Sequence, residues 1–228
     1  MESRTEIRFF LPADFFTALV NNINTVGNFK PIVYPKPITE TIYFFETTNP
    51  EEKWDTNQLI RFRRYLEKPT KTINPGQAEG FLEIKIQIRP GKNQKQREPT
   101  TYQKALAMIL AMPTFSNFQP YLAIQSERQH WLSEQIRLTV DSQITFFAFD
   151  PTNRQKAKKV GRLGEVKLEI KSTNPNWLEL NELCQKLTDQ IPCHLQPTND
   201  YMKERSLLCV RQALCKRNTS PRSLMAMR

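Results

Sequence analysis

The sequence predicts an α+β fold: a closed antiparallel β-barrel with helices on its outside. Three observations lead there. Several segments alternate strictly between apolar and polar residues, the polar faces concentrate Arg, Lys and Glu, and amphipathic segments lie between them that could cover the apolar faces.

The run RTEIRFF places Arg4, Glu6 and Arg8 on one face of a first strand and Thr5, Ile7 and Phe9 on the other. LPADFFTALVNNINTV carries Asp14 in its first turn, Phe15, Leu19 and Ile23 near helical spacing, and Gly27 beyond its end, so a short helix follows. ETIYFFET (40–47) and LIRFRRYLE (59–67) read as strands joined by a polar loop holding Pro50 and Asn57. In GFLEIKIQIRP the alternation is cleanest: Leu82, Ile84, Ile86 and Ile88 against Glu83, Lys85, Gln87 and Arg89. PGKNQKQREPT reads as a polar loop, and TYQKALAMILAMP as a helix stopped by Pro113.

Strands near 119–131 and 134–149 come next, connected through Trp131 to Glu134, and NRQKAKKVGR reads as a basic loop. GEVKLEIKST forms the last long strand, with Glu165, Lys167, Glu169 and Lys171 opposite Val166, Leu168 and Ile170. PNWLELNELCQKLTDQIP has a helical pattern through Trp177, Leu180, Leu183 and Leu187. The expected organisation is one barrel domain over 1–199, a C-terminal helix over 200–217 that packs on or closes the barrel, and a disordered tail over 218–228.

The 228 residues carry 33 Lys and Arg against 23 Asp and Glu, a formal charge of +10 that favours an anionic partner without choosing one. Cys184, Cys193, Cys209 and Cys215 form no CxxC pair and read as reduced thiols. The N-terminus lacks the apolar stretch of a signal peptide, and no segment approaches the roughly 18 apolar residues of a membrane span. A soluble, cytoplasmic protein is expected; the oligomeric state is not legible.

Any one charged face suits an ordinary half-solvated sheet. Their repetition suggests a shared charged lumen: Glu6 and Arg8; Arg61 and Arg63; Glu83, Lys85 and Arg89; Arg137, Thr139 and Asp141; Glu165 to Lys171. The apolar faces then point outward, under helices at 12–25, 101–112 and 176–190. Clustered cations repel one another unless an anion neutralises them, and guanidinium forks match phosphate oxygens. Carboxylates among them suit Mg²⁺ or Mn²⁺, which would bridge phosphates. Arg61 and Arg63 stand out as a pair, with Arg64 expected to point outward. His130 and His194 lie apart from any acid or nucleophile pattern, and Trp131 and Trp177 read as packing residues.

The motifs resemble those of the triphosphate tunnel metalloenzymes, and the VTC-type polyphosphate polymerase domain more closely than the CYTH-type triphosphatases. The likeness runs from about Thr5 to Lys203 and rests on Glu6-Ile7-Arg8-Phe9; Arg61, Arg63 and Tyr65; Glu83-Ile84-Lys85; Arg128; Arg137, Thr139 and Asp141; and Leu168 to Lys171. The resemblance implies an eight-stranded closed barrel. It also implies phosphate binding by Arg8, Arg61, Arg63, Lys85, Arg128, Arg137, Lys167 and Lys203, with Arg61, Arg63, Lys85 and Lys203 catalytic. Glu169 would be the principal metal ligand, with Glu83 and Glu6, for Mn²⁺ or Mg²⁺. ATP, inorganic triphosphate or polyphosphate would be the partner, and the γ-phosphate of ATP would pass to a growing chain.

The chain departs from the triphosphatase signature at Arg4, where a second acid would stand, and from the usual first-strand lysine at Arg8; Asn199 or Asp200 stands where a second C-terminal lysine might be expected. The alternatives are a triphosphate hydrolase of the same fold and a non-catalytic polyphosphate sensor. A nucleic-acid binder comes last, because glutamate-rich faces repel a phosphate backbone.

Overall fold

The structure, a computed structural model, describes residues 5–26, 28–46, 58–89, 92–150, 153–173, 176–195 and 209. Strand β1 (Thr5–Pro12) enters a 3-10 turn (Ala13–Phe15) and then α1 (Phe16–Thr25). There follow β2 (Lys30–Ile32), β3 (Ile38–Glu46), β4 (Gln58–Leu66), β5 (Thr72–Ile73), β6 (Glu79–Arg89) and β7 (Lys92–Thr101). Helix α2 (Tyr102–Ala111) precedes β8 (Phe118–Leu132), β9 (Ile136–Asp150), β10 (Asn153–Arg162) and β11 (Glu165–Ser172), and α3 (Trp177–Leu187) precedes β12 (His194–Leu195).

All strands join one antiparallel sheet in the order β12-β1-β11-β9-β8-β3-β4-β6-β7, with β10 on β9 and β5, and β2 on β8. The expected α+β class and antiparallel sheet are present. The expected closure is not: among the described residues no ladder joins β1 to β7. The edge of β1 that would receive β7 is taken at Phe9 and Phe10 by Leu195 and His194 of β12.

Two segments expected to be loops are strands. KNQKQREPT is β7, paired with β6 in unbroken register from Glu79 to Gln87, and NRQKAKKVGR is β10, paired with the second half of β9. Both lie at sheet margins where side chains meet water, so their polarity reports exposure rather than irregular backbone. Among the β10 residues whose burial is described, Ala157 alone is buried, inside the cluster beneath α2.

The helices cover the outer face of the sheet, as expected from their apolar stripes. Tyr102, Ala105 and Ile109 of α2 pack on Ile42, Phe44, Ile60, Phe62 and Leu82. Leu19 and Ile23 of α1 join Leu180, Cys184 and Leu187 of α3 on Leu138, Val140, Leu168 and Ile170. Each such aliphatic burial contributes about 1.5–3 kcal/mol. Trp131 belongs to this core, whereas Trp177 opens α3 with 59% of its surface exposed, because the buried stripe begins at Leu180. Cys184, Cys193 and Cys209 are free thiols. The expected helix over 200–217, with Lys203, and the tail over 218–228 lie outside the described residues apart from Cys209. Among the described residues no helix is long and apolar enough to cross a membrane.

Gly80 sets the spacing between β4 and β6. A Cβ there would lie 2.5 Å from the Arg63 carbonyl oxygen and 2.6 Å from the Phe62 ring, neither of which can retreat without moving the β4 backbone. Gly80→Ala is therefore expected to cost about 1–3 kcal/mol. A thermal melt should show the drop, and an unchanged midpoint would mean that the strands separate freely.

Candidate functional site

Neither α1, α2 nor α3 covers the inner face of the sheet, yet its side chains are buried: Glu83 is 2% exposed and Asp141 1%. The sheet therefore curls upon itself into a trough. Alternation brings Glu6 and Arg8 of β1, Lys167, Glu169 and Lys171 of β11, and Arg137, Thr139 and Asp141 of β9 to its wall. Ser126, Arg128 and His130 of β8, Thr41 of β3, Arg61 and Arg63 of β4, and Glu83 and Lys85 of β6 complete it.

Three carboxylate centres organise these cations. Asp141 accepts from Arg128 Nε at 2.6 Å and Nη2 at 2.8 Å, lies 2.6 Å from Lys167 Nζ, and accepts from Ser126 Oγ at 3.4 Å. Burial opposes ionisation, but Arg128 and Lys167 outweigh it and hold Asp141 well below the usual carboxylate range; in return Arg128 is held above its ordinary value. Glu169 receives Lys171 Nζ at 2.6 Å and Arg8 Nε at 3.3 Å, and those same two cations bind Glu6. Burial again opposes, and Lys167, Lys171 and Arg8 keep Glu169 ionised.

Across the trough, Glu83 accepts from Arg61 Nε at 2.6 Å, with Arg63 at 3.9 Å, Lys95 at 3.2 Å and Arg97 at 3.4 Å. Against the cost of burial, Arg61, Arg63 and Lys95 hold Glu83 down at about 2. Lys85 follows Glu83 on the same face, opposite Lys95. Arg63 is the poorly compensated member: its Nε donates to Thr41 Oγ1 at 3.2 Å, and burial and repulsion from Arg61 and Arg128 lower its pKa to about 10. His130 bonds Thr139 Oγ1 at 3.0 Å; burial, Arg128 and Arg137 lower it to about 4, so it is neutral at pH 7.

These shifts have a signed consequence. A carboxylate with a depressed folded pKa stabilises the fold above its unfolded pKa, and the contribution vanishes as pH falls through the folded value. For Glu83 alone the window runs from 4.5 to about 2, and the loss is on the order of 3 kcal/mol. Chemical denaturation midpoints should fall steeply across that window; a flat profile would mean that the cations hold Glu83 no better than water does.

The structure thus brings Arg8, Lys167, Arg128 and Arg137 to one wall with Glu6 and Glu169, and Arg61, Arg63 and Lys85 to the other with Glu83. Glu6 and Glu169 share two cations, but Glu83 does not join them, and among the described residues no three His, Cys, Asp or Glu side chains form a metal cluster. The oxygen donors of Glu6 and Glu169 still fit a hard divalent cation of the kind that takes one or two carboxylates and completes its shell with phosphate and water. Asp141, Lys171, Lys95 and Arg97 were not singled out as site residues from sequence. Asp141 and Lys171 carried a signal in their alternation, whereas Lys95 and Arg97 were hidden in a segment that reads as loop.

Arg64 does point away from Arg61 and Arg63, but not to solvent. Its Nε donates to Glu40 Oε1 at 2.6 Å, and Glu40, fully buried, also accepts from Gln125 at 2.8 Å. That network ties β3, β4 and β8 together behind the trough. A cavity of about 870 Å³ lies at the end of β4 and β6 beside α2, where Lys36, Arg64 and Lys104 are matched by Glu79 and Glu98. It lacks the dense cation cluster of the trough.

The polar lining ends partway along. On β9 a bulge at Gln143, with φ 51°, shifts the alternation, so that Ile144, Phe146 and Ala148 face inward after Asp141. With Phe10, Leu122, Ile124 and Leu163 they form one buried apolar cluster on the β1, β8 and β9 side of the trough.

No protein-family profile matches the chain, and no curated protein matches it. Solved structures do. A conserved hypothetical protein from Pyrococcus furiosus shares 14% identity over 88% of this chain and 99% of that one, with a TM-score of 0.50. A protein from Bacillus halodurans described as a "putative adenylate cyclase" shares 13% identity over 90% of this chain and 96% of that one, with a TM-score of 0.51. At these identities the likeness is one of fold, and it spans nearly the whole of both proteins.

Proposed function

We propose that the trough binds the phosphates of a triphosphate together with a divalent metal and transfers its terminal phosphoryl group. The observation that carries this is the convergence of Arg8, Arg61, Arg63, Arg128 and Lys167 on one concave face, with Arg63 left without a close carboxylate. Such a face is electrostatically incomplete until an anion fills it. The tunnel-enzyme motifs of the sequence and the fold of the solved relatives support the same reading.

The chain's own residues act by position and charge. The guanidinium groups of Arg61 and Arg63 orient phosphate oxygens from one wall, and Arg8, Arg128 and Lys167 do so from the other. Charge developing on the transferred group meets donors that are already fixed in place by Glu83, Asp141 and Glu169, so little reorganisation is needed. Glu169 and Glu6 would hold a Mg²⁺ or Mn²⁺, which would supply neutralisation of phosphate charge. No protein nucleophile is required. The acceptor is a growing polyphosphate chain in the reading implied by the VTC resemblance, and water in the other.

Incubation with ATP or tripolyphosphate and Mn²⁺ or Mg²⁺, with products resolved on gels and as free phosphate, separates the two. A ladder identifies the polymerase, and phosphate release without a ladder the hydrolase. Glu169→Ala and Arg61→Ala should each lose about 100-fold or more in turnover. Binding without turnover would leave a sensor, and no binding would end the proposal.

A further inference from the structure

A phosphate chain held in the trough leaves whatever it is attached to at one end of it. At the end where Glu6 and Lys171 keep 28% of their side-chain surface, Arg137 of β9 and Leu132 of β8 stand opposite each other, both exposed. Strand β2 runs along β8 here and pairs Lys30 with Leu132 and Ile32 with His130, so these side chains share the inner face. Two residues on, the Tyr34 ring lies 5.3 Å from that of His130 at an angle of 73°. The two rings form a corner rather than a stack, and Tyr34 keeps 49% of its surface exposed.

His130 itself belongs to the trough wall, where it bonds Thr139; burial, Arg128 and Arg137 keep it neutral at pH 7. The segment that carries Tyr34 is fixed at both ends. Before it β2 pairs with β8, and after it the Arg128 amide donates to the Pro37 carbonyl at 2.9 Å. Pro35 and Pro37 restrict the backbone between these anchors. A tyrosine ring on a braced segment gives up little freedom when it stacks on a ligand. Other rings are already covered: Tyr43 stacks on Phe45, Phe45 meets Tyr121 edge-on, and the Arg97 guanidinium lies 3.8 Å over Phe81.

Resting on the reading of the trough as a phosphate site, we propose that Tyr34 and His130 form a nucleobase subsite at this end, so that a nucleoside triphosphate stacks its base on Tyr34 while its phosphates run inward past Arg8 and Arg128. His130 and Arg128 are two residues apart, about 7 Å along the strand, a span that a ribose bridges. The subsite sets the polarity of the substrate: the α-phosphate lies nearest Arg137 and the terminal phosphate deepest. Stacking accepts any base, so the selection is for a base over none rather than for one base over another.

Calorimetry in Mg²⁺ with ATP, ribose triphosphate and tripolyphosphate tests this on the wild type, Tyr34→Ala and Tyr34→Phe. Ribose triphosphate keeps the phosphates of ATP and lacks the base. Loss of the ring should weaken ATP binding by about tenfold or more and leave the two base-free ligands unchanged. Tyr34→Phe, which keeps the ring, should bind ATP as the wild type does. In turnover of ATP the loss should appear in KM and not in kcat, as expected for binding shared by ground state and transition state. Unchanged ATP affinity in Tyr34→Ala, or equal weakening of all three ligands, overturns the base subsite while leaving the phosphate site standing. Failure of ATP and tripolyphosphate alike to bind the wild type overturns the site reading, and the inference falls with it.

Discussion

Replacing Arg63 by methionine is expected to abolish triphosphate binding while leaving the fold at least as stable as the wild type. The side chain is 13% exposed and lies between two other cations, with its nearest carboxylate contact at 3.9 Å. Burial and the repulsion of Arg61 and Arg128 bring its pKa down to about 10, so holding it charged in the empty protein is a cost. A phosphate reverses the sign of that cost by supplying the missing negative charge. Losing such a donor should reduce kcat/KM by about 100-fold or more.

The same substitution removes the repulsion and gives up the bond to Thr41 and the long 3.9 Å contact with Glu83, which keeps Arg61, Lys95 and Arg97. A thermal melt should therefore show a midpoint at or above that of the wild type. Tripolyphosphate at about 100 times its Kd should stabilise the wild type by about 2.7 kcal/mol and the variant hardly at all. A variant that melts lower yet still responds to tripolyphosphate would make Arg63 a structural residue. Arg61 would be a less discriminating choice, since its loss strips Glu83 of its closest partner and confounds stability with binding.

How much of this was legible in the sequence depended on whether alternation stayed unbroken. Along β1, β4, β6 and β11 it did, and Arg8, Arg61, Arg63, Glu83, Lys85, Lys167 and Glu169 share the inner face. At β7 and β10 hydrophilic composition concealed strands, because an edge strand can be polar on both faces and still complete its backbone hydrogen bonds with one neighbour. At β9 a single inserted residue at Gln143 reversed the parity, so the inward placement of Phe146 could not be read from the spacing of Arg137, Thr139 and Asp141.

The open sheet was equally hidden, since pairing of the His194–Leu195 segment with β1 is a contact between the two ends of the described chain that no local pattern announces. Arg64 shows a different limit. Alternation correctly turned it away from its neighbours, but only the long-range meeting with Glu40 and Gln125 could reveal that it is buried there.

Asp141→Asn should destabilise the protein by about 3–5 kcal/mol, the cost of stripping one partner from a buried ion cluster. For a chain of this size that corresponds to a melting temperature lower by roughly 10 °C. The carboxylate holds Arg128 through two hydrogen bonds and Lys167 through a third contact, and an amide can satisfy their geometry only in part and their charge not at all. Two cations would then face each other in a buried wall, the condition that an anionic ligand relieves. Tripolyphosphate should therefore raise the melting temperature of Asp141→Asn by more than it raises that of the wild type, even though the variant turns over slowly. A small drop in stability would show that Arg128 and Lys167 reach solvent without Asp141. A large drop with no extra ligand stabilisation would place these two cations in the scaffold rather than on the phosphate.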